Sequence, residues 1–160
     1  MKNLVIILIS LIMFSCGFKP IYKMSETEKN LMNFEVSFQN PNQVSRVIMD
    51  EVKGVLSTDT DANFMIIMNV EEDHVPLIIN TNGTVAKYRI SVILNFLLKK
   101  IDSDELILED SARGHSQYDV GTSEIENEDK KIQMTMSATS DATQIMMSKI
   151  LSSINNLNDN

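Results

Sequence analysis

Between Ala86 and Leu98 every second residue is apolar or aromatic: Ala86, Tyr88, Ile90, Val92, Leu94, Phe96 and Leu98. A period of two is the signature of a β-strand with one buried face. The opposite phase carries Lys87, Arg89, Ser91, Ile93, Asn95, Leu97 and Lys99. Asp102-Ser103-Asp104 supplies a turn, and Leu106 and Leu108 begin a return strand that can run to about Val120. Two shorter strands precede the long one. Phe34 to Phe38 alternates, and so do Phe64, Ile66, Met68 and Val70. The stretch from His74 to Thr84, with Pro76 and Asn82-Gly83, is predicted as a loop with a turn at the Asn-Gly pair.

Helical spacing takes over elsewhere. Asn40-Pro41 suits a helix start, and Val44, Val47, Ile48, Val52, Val55 and Leu56 follow at helical intervals. Ser57 to Asp61 is polar and ends that helix. Glu124 to Lys131 is predicted as a charged, solvated connection. Met134, Ala138, Ala142, Ile145, Met146, Ile150, Ile154 and Leu157 then share one broad helical face. The order is strand, helix, three strands, helix. It predicts an α+β fold with two helices packed on one face of a mostly antiparallel four-stranded sheet. Residues 34–157 form a single domain on this reading, and residues 158–160 form a frayed tail.

The N-terminus has a different character. Lys2 precedes an apolar run from Leu4 to Phe14 that only Ser10 interrupts. The run is too short to span a bilayer comfortably, which takes about 20 residues. It has the form of an export signal, over residues 1–15. Ser15 and Cys16 close it like a lipobox, in which the thiol is acylated and becomes the mature N-terminus. Met13 and Phe14 stand where lipoboxes usually carry Leu and a small residue. The alternatives are an ordinary signal peptide or a buried anchor, with Cys16 incidental. Lipidation would leave residues 16–33 as anchor and tether, holding acyl chains such as palmitate on a diacylglycerol-modified cysteine. Gly17 is compatible with onward transport to an outer membrane.

Charge and missing motifs narrow the function. The formal net charge is −8, and Cys16 is the single cysteine. Loss of residues 1–15 removes Lys2, leaving 13 basic against 22 acidic residues, a net charge of −9. Such a chain lacks the basic footprint for non-specific nucleic-acid binding. It also lacks the thiols for a disulfide or a thiolate metal cluster. Asp59, Asp61 and Asn63 begin like a calcium loop, but Phe64 and Val70 occupy the positions that need Gly and Glu. His74 and His115 lie outside any ligand-spaced motif and are predicted at the surface. No nucleophile elbow, P-loop or dinucleotide fingerprint is present. No cofactor and no enzymatic activity are expected. Asn82-Gly83-Thr84 fits a glycosylation sequon, but a turn is the better reading.

One local feature runs against the acidic whole. From Asn80 to Ile101 there are four cations, Lys87, Arg89, Lys99 and Lys100, and no acid. Lys87 and Arg89 share a strand face. A return strand with Leu106 and Leu108 inward would add Arg113, His115 and Gln117 to it. Lys87, Arg89 and Arg113 are the candidate contacts for lipid phosphates, since arginine makes forked contacts to phosphate. The competing reading is a solvated sheet face on an acidic protein.

Cys16-Gly17-Phe18-Lys19-Pro20-Ile21-Tyr22 resembles the Cys-Gly-Phe-Arg-Pro-Leu-Tyr opening of the lipopolysaccharide-assembly lipoprotein family LptE, in its alphaproteobacterial form. Ala86-Lys87-Tyr88-Arg89-Ile90 resembles the start of that family's long strand. Ser116-Gln117-Tyr118-Asp119-Val120 resembles its Ser-Tyr-Asn segment, and Asp141-Ala142 falls in a C-terminal helix as it does there. The family's Phe-Ala after the Tyr-Asn segment is not clearly matched. The resemblance implies a non-catalytic role within the outer-membrane β-barrel LptD, on the periplasmic side, as its plug. Such proteins assist the barrel's assembly and the delivery of lipopolysaccharide to the cell surface. The alternative is a free outer-membrane lipoprotein that binds a small lipid or peptide in the periplasm, in a pocket between helices and sheet.

Overall fold

The computed structural model describes residues 34–56 and 62–158. Cys16, the tether and the helix-ending segment from Ser57 to Asp61 lie outside the described residues. The alternating segment forms β3, Val85–Lys100. Its Ile90, Val92, Leu94, Phe96 and Leu98 are buried. The other elements are β1 (Phe34–Phe38), α1 (Arg46–Leu56), β2 (Phe64–Ile79), β4 (Leu106–Asp119) and α2 (Glu124–Asn158). The strands form one sheet in the order β1-β2-β3-β4. β1 runs parallel to β2, and the other pairs are antiparallel. The fold is α+β, as the order of elements predicts. Ile48, Val52 and Leu56 of α1 and Ala138, Ala142, Met146, Ile150 and Ile154 of α2 join the even-numbered side chains of β3 in one core.

The first helix begins later than expected. Asn40-Pro41 sits in a turn closed by the Gln43 N–H on the Asn40 carbonyl (3.0 Å). Ser45 takes the capping role, its Oγ accepting from the Ile48 N–H at 3.4 Å. Only one stripe of α1 is buried, and Val55 lies outside it.

The segment predicted as a loop from His74 to Thr84 is instead strand as far as Ile79. The ladder phase explains how β2 accommodates Pro76. Ile101 N–H donates to the Asn63 carbonyl (3.1 Å), and Gln39 N–H donates to the Met68 carbonyl (2.9 Å). Odd-numbered residues of β2 therefore bond to β3, and even-numbered ones face the β1 side. Pro76 is even-numbered and lies beyond the reach of β1, which pairs only from Phe64 to Met68. Its missing N–H costs the β2–β3 ladder nothing. The predicted turn does follow: Gly83 has φ 85° and its N–H donates to the Asn80 carbonyl (3.0 Å).

A register shift beside Leu98 turns Leu106 outward, where it is exposed, while Leu108 packs on the core. The rest of β4 keeps the expected phase. At its middle, a Cβ on Gly114 would run into the Ala138 carbonyl and come within 2.7 Å of the Ala142 nitrogen. The α2 backbone thus lies directly on the sheet, which explains why small residues face it there.

The charged segment from Glu124 to Lys131 is not a connection; it forms the first turns of α2. Ser123-Glu124-Ile125-Glu126 has the sequence pattern of a capping box. Two acids in the first turn suit the positive helix end. The Asn127 side chain locks the approach, accepting from the Gly121 N–H (2.7 Å) and donating to the Gly121 carbonyl (3.2 Å). Further along, Ile145 is exposed rather than buried, and Thr135, Thr139 and Thr143 line the core instead. Thr139 and Thr143 donate to the carbonyls four residues back, at 2.7 and 2.8 Å, so their hydroxyls are satisfied without leaving the helix. Leu157, expected on the same face, has a side chain outside the described residues.

Candidate functional site

Two features meet where β2 and β3 run out from under the helices. The first is apolar. Residues 71–84 are all exposed, and among them Val75, Leu77, Ile78 and Ile79 are 44%, 37%, 49% and 59% accessible. The second is cationic. Arg89 stands directly across from Val75, and Lys87 from Ile78. Both side chains lie on the sheet face that the helices leave open. The hairpin end is therefore apolar on β2, with cationic side chains standing across from it on β3.

The predicted trio of Lys87, Arg89 and Arg113 does share this face, but the members differ. Lys87 is ion-paired with Asp119 across the strands at 3.1 Å. Gln117 stands opposite Arg89, and Ile93 stands opposite Arg113. Four residues along the strand separate the two arginine positions, roughly 13 Å. Ser91 and His115 fill the rung between, with Oγ and Nδ1 2.9 Å apart. Among the described residues neither Arg89 nor Arg113 has an ion-pair partner, so both keep their charge available. Lys99 is paired with Asp104 at 2.9 Å.

The core-side face of the same region holds an aromatic cluster that sequence reading missed. Tyr88 and Tyr118 are register partners with ring centroids 5.6 Å apart. His74 packs on Tyr88 at 4.3 Å, and its Nε2 lies 2.9 Å from the Tyr118 hydroxyl. Burial, and then the charge of Lys131, hold His74 below its ordinary value, against opposing effects of Glu72 and Glu128. Burial pushes the Tyr118 hydroxyl up, helped by Tyr88 and Glu128. An open cleft of about 640 Å³ lies here, lined by the three rings and by Ile125, Glu128 and Lys131 of α2, among others. The two histidines are thus structural partners of a tyrosine and a serine. Among the described residues no cluster of His, Cys, Asp and Glu is placed to hold a metal.

The exposed apolar hairpin was also missed. Its signal is the unbroken Val75-Pro76-Leu77-Ile78-Ile79 run beside an Asn-Gly turn, which neither a polar loop nor a half-buried strand explains.

A strand, a helix, three antiparallel strands and a long closing helix define a fold already seen in bacterial lipoproteins. The rare lipoprotein B of Shewanella oneidensis matches with a TM-score of 0.59 and 12% identity, over 79% of this chain and 98% of its own. A Caulobacter crescentus protein assigned as a lipoprotein matches at 0.60 and 11%, over 80% of this chain and 96% of its own. The minor lipoprotein of Acinetobacter baumannii matches at 0.53 and 12%, over 78% and 92%. At such identities the likeness establishes a common fold. No protein-family model matches the sequence, and no curated protein matches it.

Proposed function

We propose that this chain is an outer-membrane lipoprotein, anchored through acyl chains on Cys16, that partners the β-barrel LptD in delivering lipopolysaccharide to the cell surface. The shared fold with rare and minor lipoproteins supports the lipoprotein part. The Cys16 to Tyr22 opening supports the LptE-type assignment. The role is binding and structural, without turnover and without a cofactor beyond the lipid anchor.

The observation that carries the lipid contact is the hairpin end. An acidic protein repels an anionic lipid by its overall field, so contact requires a local site. Val75, Leu77, Ile78 and Ile79 offer an apolar surface for acyl chains. Arg89, which has no ion-pair partner among the described residues, offers a guanidinium to phosphate. Arg113 extends the positive face inward. A free periplasmic carrier would have to hold its ligand in the cleft between the first turns of α2 and Tyr88 and Tyr118, since the gap between helix and sheet is closed at Gly114.

Extraction of the full-length lipoprotein from its own membranes in mild detergent tests the assignment. A very large β-barrel should co-purify with it. Recovery of the lipoprotein alone from membranes that contain the barrel would reject the partnership.

A further inference from the structure

The two edges of the sheet are finished differently. In β4 the Val120 N–H donates to the Ala86 carbonyl (2.9 Å), so even-numbered residues bond to β3 and odd-numbered ones face the free edge. That edge is guarded. Lys149 Nζ donates to the Ser111 carbonyl (2.8 Å), the Ser111 N–H donates to Asp110 Oδ1 (2.7 Å), and Lys130 Nζ donates to the Asp119 carbonyl (3.3 Å). Lysines from the covering helix thus occupy backbone acceptors that another strand would need.

Among the described residues the other edge has no such cover. β1 pairs with β2 only from Phe64 to Met68, and the chain leaves the sheet after Gln39 caps the Met68 carbonyl. Beyond that point Val70, Glu72 and His74 turn both backbone groups outward, and among the described residues nothing pairs with them on that side. Charge marks this stretch as well: Glu71, Glu72 and Asp73 are consecutive. Glu71 and Asp73 lie on the open face, and Glu72 lies on the helix side. Two copies pairing here would bring these acids together, which disfavours self-association.

We infer that the free edge of β2 from Val70 to His74 accepts an extended basic peptide segment of another protein, added as a strand in line with β1. Backbone bonds to Val70, Glu72 and His74 supply the pairing, and lysines or arginines at alternate positions meet Glu71 and Asp73. Pro76 ends the slot, because it offers a carbonyl but no N–H. This site lies at the strand edge before the apolar hairpin end; Glu71 shares a rung with Arg113 through Ile93, so the open face carries acids toward the edge and arginines further in.

The test uses the full mature lipoprotein in detergent, with short synthetic peptides of alternating Lys and Val as probe. Amide hydrogen exchange is read at Val70, Glu72 and His74. These amides should be unprotected in the free protein and protected with the Lys-Val peptide. A Glu-Val peptide, or the Lys-Val peptide N-methylated at alternate residues, should bind at least about tenfold more weakly. Glu72→Pro removes an edge-facing N–H without touching the β3 ladder and should abolish binding. Glu71→Lys with Asp73→Lys should shift the preference toward the Glu-Val peptide, with the thermal melt showing an intact fold. Equal binding of both peptides would overturn the inference. So would protection at the β4 edge instead, or concentration-dependent protection without peptide, which would point to a second copy.

Discussion

The inner and outer halves of the β2–β3 hairpin use one strand pair for opposite ends. From Phe64 to Val70 and from Ile90 to Leu98, one face lies under the helices and holds the core. From Val75 to Ile79 the same ladder continues, yet Val75, Leu77, Ile78 and Ile79 stay in solvent. What differs is the cover. α2 reaches Tyr118 and His74 with its first turns and stops. Apolar side chains alone thus do not make a core. They make one where a second layer removes them from water, and elsewhere they leave a surface available to a partner.

That contrast is open to direct attack. The largest effects belong to the inner half. Leu94→Ala or Phe96→Ala should cost about 2–5 kcal/mol, because each leaves a cavity in a closed layer. Denaturant melts of the soluble domain measure it. A loss as small as that of a surface change would mean that the helix layer does not seal β3.

Gly114→Ala should come next, at about 1–3 kcal/mol. A methyl group there meets helix backbone rather than a side chain that can swing away. A neutral result would show that α2 does not lie against the sheet at this point.

The boundary between the halves should carry a pH signature. His74 is held below its ordinary 6.5, so the folded chain takes up this proton less readily than the unfolded chain. Its contribution is complete above pH 6.5, is lost as pH falls from there toward the lowered folded value, and levels off below it. Urea midpoints against pH for wild type and His74→Gln should diverge over that window. Parallel curves would remove His74 from the packing of the boundary.

The smallest stability effects belong to the outer half. Ile79→Ser, and Lys87→Ala despite its pairing with Asp119, should each stay within about 0.5 kcal/mol. Ile79→Ser should nevertheless weaken association with lipid. A large stability loss there would mean that the hairpin end is part of the core after all.

Much of this division was legible in the sequence. The alternation from Ala86 to Leu98 declares its phase because its inner positions are uniformly apolar. The order of elements follows from the change between periods of two and of 3.6. Where the structure departs from the sequence pattern, local chemistry alone does not say which way a group faces or what satisfies it. Pro76 argues for a loop only if its nitrogen faces a partner strand, and in β2 it faces an empty edge. Glu124 to Lys131 looks solvated because it is, yet the Ser123 to Glu126 pattern starts a helix regardless of polarity. Ile145 fits the core face by being apolar, yet Thr139 and Thr143 hold that side with hydroxyls satisfied inside the helix. Within the candidate site, the shared face of Lys87, Arg89 and Arg113 was readable from the period of two. The pairing of Lys87 with Asp119 and the spacing of the arginines depend on cross-strand register, which no single segment encodes.

The central claim is that the outer sheet face makes the lipid contact through Arg89 and Arg113. The most direct measurement is binding of purified lipopolysaccharide to wild type and to the Arg89→Glu, Arg113→Glu double variant, with barrel co-purification followed alongside. The double variant should lose lipid binding while its melt and its barrel association persist. Wild-type binding should fall as salt rises, since exposed charges are screened over about 8–10 Å. Unchanged lipid binding in the double variant would contradict the account and leave the arginines as a solvated face. Loss of the barrel with lipid binding retained would contradict it too, and would move them to the protein interface.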